Sequence, residues 1–389
     1  MNILMLCDFF GVGQQYQENY LSKYYKKLGH NVVVVASTFE DIHDYYNNRY
    51  KVKKKKNEII DGTKIIRLSY SINFLGKIRM FGNVRKILQN ERPDVIFAHG
   101  IHLNLMDAVW YKKSINIECK IITDSHADFS NSGNNWLSLH VLNGIFRKYF
   151  LKFHKKHIDK LYAIVPEGMR FMNDVFGVPC SDIELLPLGC DYDLSEEIRN
   201  RKNGQEIKKK FNISNNNFIV FTGGKLKRIK KTDILIDSIK LIKNENILLL
   251  IVGSADSNDI EYENELKEMS KDCNIRFMGW MNTRDILELM SISNIAIFPA
   301  SQSVLWQQSI GMHLPLVVGD VGGQDASYLN RNGNVIVIPK DNINSEFINK
   351  LLSELFHNPT KLKDMSNGAK KTAEEFLNYE IIAKKTIGQ

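Results

Sequence analysis

Short apolar runs rich in β-branched residues alternate with helical patterns along the whole chain, and this alternation restricts the fold more than any other feature. Strand-forming runs fall at Asn2 to Cys7, Asn31 to Ala36, Lys64 to Leu68, Val95 to Ala98, Lys120 to Thr123, Lys160 to Val165 and Ile183 to Leu186. Amphipathic spacing predicts helices between them: one ending at Leu28, and others around Ile78 to Gln89, Leu103 to Lys113, Leu137 to Lys156 and Gly168 to Phe176. The second half repeats the rhythm, with strands near Phe218, Ile247, Ile275, Ile295, Leu316 and Val335. Strands separated by helices pair in parallel, because a crossover helix returns the chain to run in the same direction. With 389 residues there is chain enough for two cores. The expected class is therefore α/β, with two doubly wound parallel-sheet domains facing a central cleft where the C-terminal strand ends converge.

Pro187-Leu-Gly189-Cys-Asp191 interrupts the alternation, and Asp193 with Glu196 three positions later has the form of a capping box opening a helix. This puts the domain boundary at 191, giving a first domain of 1–191 and a second of 192–372, with a C-terminal helix of about 373–389 packing back on the first. Asp191-Tyr-Asp193 also has the D-x-D form of a metal-binding carboxylate pair, but linker and cap roles already account for it, and no metal is expected. The five cysteines are scattered without C-x-x-C spacing and read as reduced thiols.

The formal net charge of +8 is unevenly placed. Residues 1–190 hold 26 Lys and Arg against 18 Asp and Glu, whereas 191–389 hold 26 against 26, so the first half carries all of the excess. Its densest pieces are Lys51 to Lys56 and Arg147-Lys148-Tyr-Phe-Leu-Lys152-Phe-His-Lys155-Lys156. The second interleaves aromatics and cations at helical spacing, a pattern shared by a nucleic-acid groove, a helix lying on an anionic membrane surface and a plain solvated face; an anionic membrane surface, and no nucleic acid, is the expected partner. The N-terminus lacks a basic leader, and the longest apolar run, Ile247 to Val252, is far short of a bilayer span. A cytoplasmic protein, peripheral on the inner face of the membrane, is expected.

The strongest local signal is Phe218-Ile-Val-Phe-Thr222 followed by Gly223-Gly224, five cations (Lys225, Lys227, Arg228, Lys230, Lys231) and the helical pattern of Ile234, Leu235, Ile239 and Ile242. A strand feeding a glycine turn and a helix N-terminus is where an open α/β sheet holds an anion: glycine admits close backbone approach and the helix offers free N–H groups. Lysines there oppose the helix dipole unless an anion offsets them. Phe298-Pro-Ala-Ser-Gln302-Ser303-Val304-Leu305-Trp306-Gln307-Gln308 also follows a short strand and is expected in the same crevice. Gly11-x-Gly13 after the first strand lacks the third glycine and the later acidic residue of a dinucleotide site.

Taken together, the chain resembles the glycosyltransferases of family 4 type, whose GT-B architecture has two Rossmann-like domains. The likeness is carried by Gly11 to Gly13, Leu28-Gly29-His30, Arg92-Pro93-Asp94 through His99, Asp124-Ser-His126-Ala-Asp128, Leu186-Pro-Leu-Gly189-Cys-Asp191, Gly224 to Asp233, Ile251-Val-Gly253, Phe277-Met-Gly279-Trp280 and His313-Leu-Pro315. The resemblance implies that the family's phosphate-binding arginine and lysine fall on Lys225 and Lys230; the lysine matches, and the arginine has become lysine, which keeps charge but loses the bidentate fork. It implies that Phe277 to Met281 meet the nucleotide base and that His126 lies near the reacting sugar. The implied donor site is Gly11, Gly13, Gly224, Lys225, Lys230, Gly253, Gly279, Trp280, Met281, Gln302, Ser303, Val304, Leu305, Gln307 and Gln308. His99, His102 and Asp128 fall on the acceptor side.

One family feature is missing. Two glutamates with seven residues between them usually hold the donor's sugar and ribose, and counting back from Pro315 puts them on Ala300 and Gln308, while matching through Leu305-Trp306 points to Gln307. A glutamine can still bond hydroxyls as a neutral donor and acceptor. The resemblance thus implies a retaining, metal-independent glycosyltransferase moving a hexosyl or N-acetylhexosaminyl group from a nucleotide diphosphate sugar, such as a UDP-sugar, to a saccharide or lipid-linked acceptor in surface polysaccharide or glycoconjugate biosynthesis. The alternatives are a silent subunit that stabilises a partner enzyme and an epimerase of the sugar nucleotide.

Overall fold

The computed structural model describes residues 1–48, 51, 57–133, 135–201, 203–242, 246–322 and 325–389. The run of lysines at 53–56 lies outside the described residues. Two units divide the chain: Met1–Leu188 together with Tyr379–Gln389, and Gly189–Asn378.

The first unit is built on an eight-stranded sheet. Its strands are β1 (Asn2–Leu6), β2 (Asn31–Ser37), β3 (Glu58–Ile60), β4 (Thr63–Leu68), β7 (Val95–Ala98), β8 (Lys120–Ser125), β9 (Lys160–Ala163) and β10 (Glu184–Leu185), in the order β10-β9-β8-β7-β1-β2-β4-β3. All neighbours are parallel except β3 against β4. The central strands β1 and β7 are buried almost throughout, as a sheet covered on both faces requires. A separate antiparallel hairpin, β5 (Tyr70–Phe74) and β6 (Ile78–Phe81), corrects the sequence expectation. The helix read from Ile78 begins only at Val84, because Ile78–Phe81 pairs with Tyr70–Phe74 and Phe81 stacks on Tyr70. The final helix, Tyr379–Ile387, lies against helix Gln17–Lys27: Tyr379 stacks on Tyr20 and the Tyr25 hydroxyl sits 2.6 Å from Thr386 Oγ1.

The second unit holds six parallel strands, β11 (Phe218–Gly223), β12 (Ile247–Val252), β13 (Ile275–Gly279), β14 (Ile295–Phe298), β15 (Leu316–Gly319) and β16 (Val335–Ile338), in the order β13-β12-β11-β14-β15-β16. β12 is buried at all six positions, and apolar cores form on both sheet faces, around Phe221 and Trp306 on one and Leu235 and Leu352 on the other. The first helix of this unit runs Tyr192–Asn200, and its cap is Asp191, whose carboxylate accepts from Leu194 N–H. This corrects the capping box read at Asp193: Asp191 holds the non-helical backbone (φ −74°, ψ 77°) and Asp193 is already inside the first turn. All five cysteines are free thiols.

Candidate active site

In the second unit the order of the sheet turns at β11 and β14: connections from these neighbours leave in opposite directions, so their C-terminal ends open a crevice. Thr222, Gly223, Lys225, Lys230, Pro299 and Ala300 line a pocket at that point. The two stretches singled out in the sequence are thus joined there, and the Lys230 Nζ donates to the Gln302 carbonyl at 2.5 Å.

Backbone forms one wall. Gly224 N–H donates to Val252 O at 2.9 Å and Gly253 N–H to Gly279 O at 2.7 Å, drawing together the turns that end β11, β12 and β13. Gly224 and Gly253 both hold φ near 117°, outside the range of L side chains, and a Cβ on Gly253 would stand 2.0 Å from Gly224 O. A surface of this kind lets a ligand approach main-chain N–H groups closely.

Lys230 ends a single 3-10 turn, Arg228–Lys230, just before helix Thr232–Ile242. Burial pushes its ammonium down from 10.5 to about 8, and among the described residues no carboxylate pairs with it. The rest of the expected cluster is differently placed. Lys225 stands 3.2 Å from Asp256 Oδ2, Lys227 reaches Asp256 and Asp259, and Arg228 pairs with Glu265. A carboxylate side chain beyond β12 therefore faces Lys225 and Lys227, and Lys230 is left as a partly buried cation at the pocket.

The other predicted donor residues separate into two groups. Ser303 lies beside Gly224 and accepts from Leu305 N–H, opening helix Leu305–Gly311, with Val304 exposed. Trp280 projects into solvent just beyond β13, while Met281 packs on the core. Gln307 and Gln308 turn inward instead. Gln307 is 1% exposed with Nε2 donating to the Tyr328 hydroxyl, and the buried Gln308 accepts from Asp191 N–H through Oε1. Helix Leu305–Gly311 is buried at every position from Trp306 onward, so both glutamine side chains are enclosed by the core rather than left facing solvent.

The first unit has its own turning point, between β1 and β7. Asp8 follows β1; its carboxylate meets His102 Nε2 at 3.0 Å and accepts from Arg79 of β6, with the Tyr70 hydroxyl alongside. Burial opposes ionisation of Asp8, but His102 and Arg79 outweigh it and hold the carboxyl well below the usual range. Next to this, Asp124 at the end of β8 is fully buried; Oδ2 lies 3.2 Å from His99 Nδ1 and 3.3 Å from His126 Nε2, and Oδ1 accepts from Gly100 N–H at 2.6 Å. Burial would raise Asp124, yet the two imidazoles hold it well below the usual range. The other His99 nitrogen stands 3.4 Å from Glu18 Oε2. Burial disfavours the imidazolium of His99, but Asp124 and Glu18 overcome it and raise the pKa to about 9.

His99 and His102 follow β7, and His126 follows β8. Asp128 braces its own loop, since its Oδ1 accepts from Ser130 and Asn131 N–H. Gly11 and Gly13 lie in the loop after β1, where Gly11 O accepts from Asn19. Among the described residues His99, Asp124 and His126 are the group whose ligand atoms converge, within 4.8 Å of one another. Both His99 nitrogens face carboxylates, so the group is held together by hydrogen bonds and ion pairs. Asp8, Glu18, Arg79 and Asp124 were not singled out by sequence as functional side chains. Asp8 and Asp124 had a usable signal, each being the acidic residue that closes an apolar strand run; Arg79 had none, because its segment read as helix.

Residues 13–194 match the family model described as Glycosyltransferase Family 4, and residues 203–372 match that described as Glycosyl transferases group 1. Among curated protein sequences none matches significantly. Solved structures do. A glycosyltransferase from Rickettsia africae superposes with a TM-score of 0.72 at 16% identity, covering 100% of this chain and 97% of that one. Anabaena Alr3699/HepE in complex with UDP gives 0.67 at 17% identity, covering 100% and 99%. WaaG, a glycosyltransferase involved in lipopolysaccharide biosynthesis, gives 0.64 at 15% identity, covering 100% of both. With a Family 4 model on its first unit, a group 1 model on its second and the GT-B fold in both, the chain belongs to the glycosyltransferases of family 4 type.

Proposed function

We propose that this glycosyltransferase is a retaining, metal-independent enzyme that transfers a hexosyl or N-acetylhexosaminyl group from a nucleotide diphosphate sugar, a UDP-sugar, to a hydroxyl of a saccharide or lipid-linked acceptor in surface polysaccharide or glycoconjugate assembly. The observation that carries the donor reading is the β11/β14 crevice, where Lys230, a partly buried cation, lines a pocket with glycine backbone. A diphosphate supplies what that site lacks, an anion that a partly buried ammonium beside closely approachable glycine backbone can hold. That the Anabaena neighbour was solved with UDP and UDP-glucose is consistent with this reading.

In the reaction, the bond from the anomeric carbon to the diphosphate oxygen breaks and a bond to the acceptor oxygen forms on the same face, while the acceptor proton passes to the departing diphosphate. Lys230, and Lys225 to a lesser degree, would offset the charge that develops on the leaving group, the part a divalent ion plays elsewhere. His126, oriented by Asp124, would meet the reacting sugar. The cationic excess of the first unit suits an acceptor presented at the anionic inner face of a membrane. Among the described residues no helix is long and apolar enough to cross one.

Calorimetry with UDP and a set of UDP-sugars tests the donor reading, followed by detection of UDP release with and without acceptor. Binding that is lost in Lys230→Met supports it; no binding of any nucleotide diphosphate overturns it. The inward-facing Gln307 and Gln308 favour a second reading, in which the glutamines are structural and the chain stabilises a partner enzyme. UDP release on addition of acceptor separates the two.

A further inference from the structure

The helical segment from Leu137 to His154 has two apolar faces, and only one is used by the fold. Inward, Asn143, Leu151 and His154 are buried, with Leu139 and Phe150 packed against neighbouring cores. Outward, where a surface helix normally carries polar groups, stand Leu137, Val141, Ile145, Tyr149 and Phe153, each exposed, with Trp136 at the start. Exposure reaches 67% at Trp136 and 76% at Phe153.

These five side chains recur every fourth residue, and the local winding keeps them in a line. Leu137–Arg147 is a π-helix, in which four residues fall short of a full turn; Lys148–His154 is α-helical, in which four residues overshoot a turn of about 3.6. The two drifts oppose each other, so the row stays on one side of the unit. A row of large apolar groups exposed this way marks a contact surface.

Charge identifies the partner. From Phe129 to Ile158 the sequence contains no Asp or Glu, while Arg147, Lys148, Lys152, Lys155 and Lys156 fall in its second half. Lys152 and Lys156 are exposed beside the row, placed so that their stems can lie along an apolar phase while the ammonium groups stay at its border. Tyr149 in the row and Trp136 just before it suit the boundary between headgroups and acyl chains. Cations around the face would repel a second copy of the same face.

We propose that the Leu137–His154 segment is a membrane-docking element that lies in the plane of an anionic bilayer, with Leu137, Val141, Ile145, Tyr149 and Phe153 inserted among the lipids and Lys152 and Lys156 on the headgroups. This deepens the membrane-surface reading given above, from adsorption by charge alone to insertion of a particular face. It is independent of the donor site, and the vesicle assay contains no nucleotide, so failure of one reading leaves the other standing.

The test uses the full chain with vesicles of phosphatidylcholine alone and of phosphatidylcholine mixed with phosphatidylglycerol. The protein is expected to sediment with the mixed vesicles, and Trp136 emission to shift to the blue and be quenched by brominated acyl chains, a response absent in Trp136→Phe. Val141→Ser with Ile145→Ser should lower partitioning by at least about tenfold, and Lys152→Gln with Lys156→Gln by about fivefold for each charge. Both pairs are at exposed positions, and an unchanged far-UV circular dichroism spectrum and urea midpoint show that each variant remains folded. Absence of sedimentation with mixed vesicles, unchanged partitioning in the Val141→Ser, Ile145→Ser variant, or an exposed row that instead proves to be the interface of a dimer dissociated by those substitutions would overturn the proposal.

Discussion

Replacing Lys230 by methionine should make the free protein more stable and its nucleotide complex weaker. The ammonium is lowered from 10.5 to about 8 by burial. That difference, at about 1.36 kcal/mol per pH unit, corresponds to roughly 3 kcal/mol of unfavourable burial at neutral pH. The contact with Gln302 O offsets part of this and is lost in the variant, a net of about 1 kcal/mol. Lys230→Met, similar in length and uncharged, should therefore raise unfolding stability by about 1 to 3 kcal/mol in urea. Affinity for UDP should fall by about 1.5 to 3 kcal/mol, roughly tenfold to over a hundredfold, as a charge-assisted bond is removed. The pH dependence follows in sign: between about 8 and 10.5 the unfolded chain holds this proton and the folded one does not, so wild-type stability contains a component that rises across that window and is missing in the variant. UDP affinity moves oppositely, falling as pH rises above about 8. A variant that is less stable and binds UDP as wild type does would refute both the buried-cation argument and the phosphate assignment.

Gly253→Ala should destabilise the second unit by about 1 to 3 kcal/mol or more, because φ is near 117° and the new Cβ meets Gly224 O at 2.0 Å; a urea midpoint equal to wild type would refute the close approach. His99, raised to about 9, stabilises the fold fully below its unfolded value near 6.5, and that contribution is lost as pH rises through about 9. The stability gap between wild type and His99→Gln should accordingly close above about pH 9, and a pH-independent gap would exclude an imidazolium between Glu18 and Asp124. Gln307→Glu would restore the carboxylate usual for the family, but at 1% exposure it should cost several kcal/mol of stability rather than strengthen donor binding; a gain in UDP-sugar affinity by calorimetry would show that the side chain can turn outward.

The α/β class and most of the strand positions could be read along the chain. Runs such as Ile247–Val252 and Val95–Ala98 must be buried on both faces, and that requirement is local and visible in composition. Lys230 was legible in the same way, since glycines and cations after a strand form a pattern in one dimension. Pairing between distant segments was not. Asp8 finds Arg79 and His102 because β1 and β7 are neighbours and a hairpin folds where helical spacing had been read. Lys225 and Lys227 look like phosphate ligands in the sequence, and folding sets Asp256 beside them. Periodicity near Gln307 and Leu137 defines helix faces without saying which face the core will cover. Packing turned Gln307 and Gln308 in and left Leu137, Val141, Ile145, Tyr149 and Phe153 out, because burial depends on what lies across from a helix rather than on the helix itself.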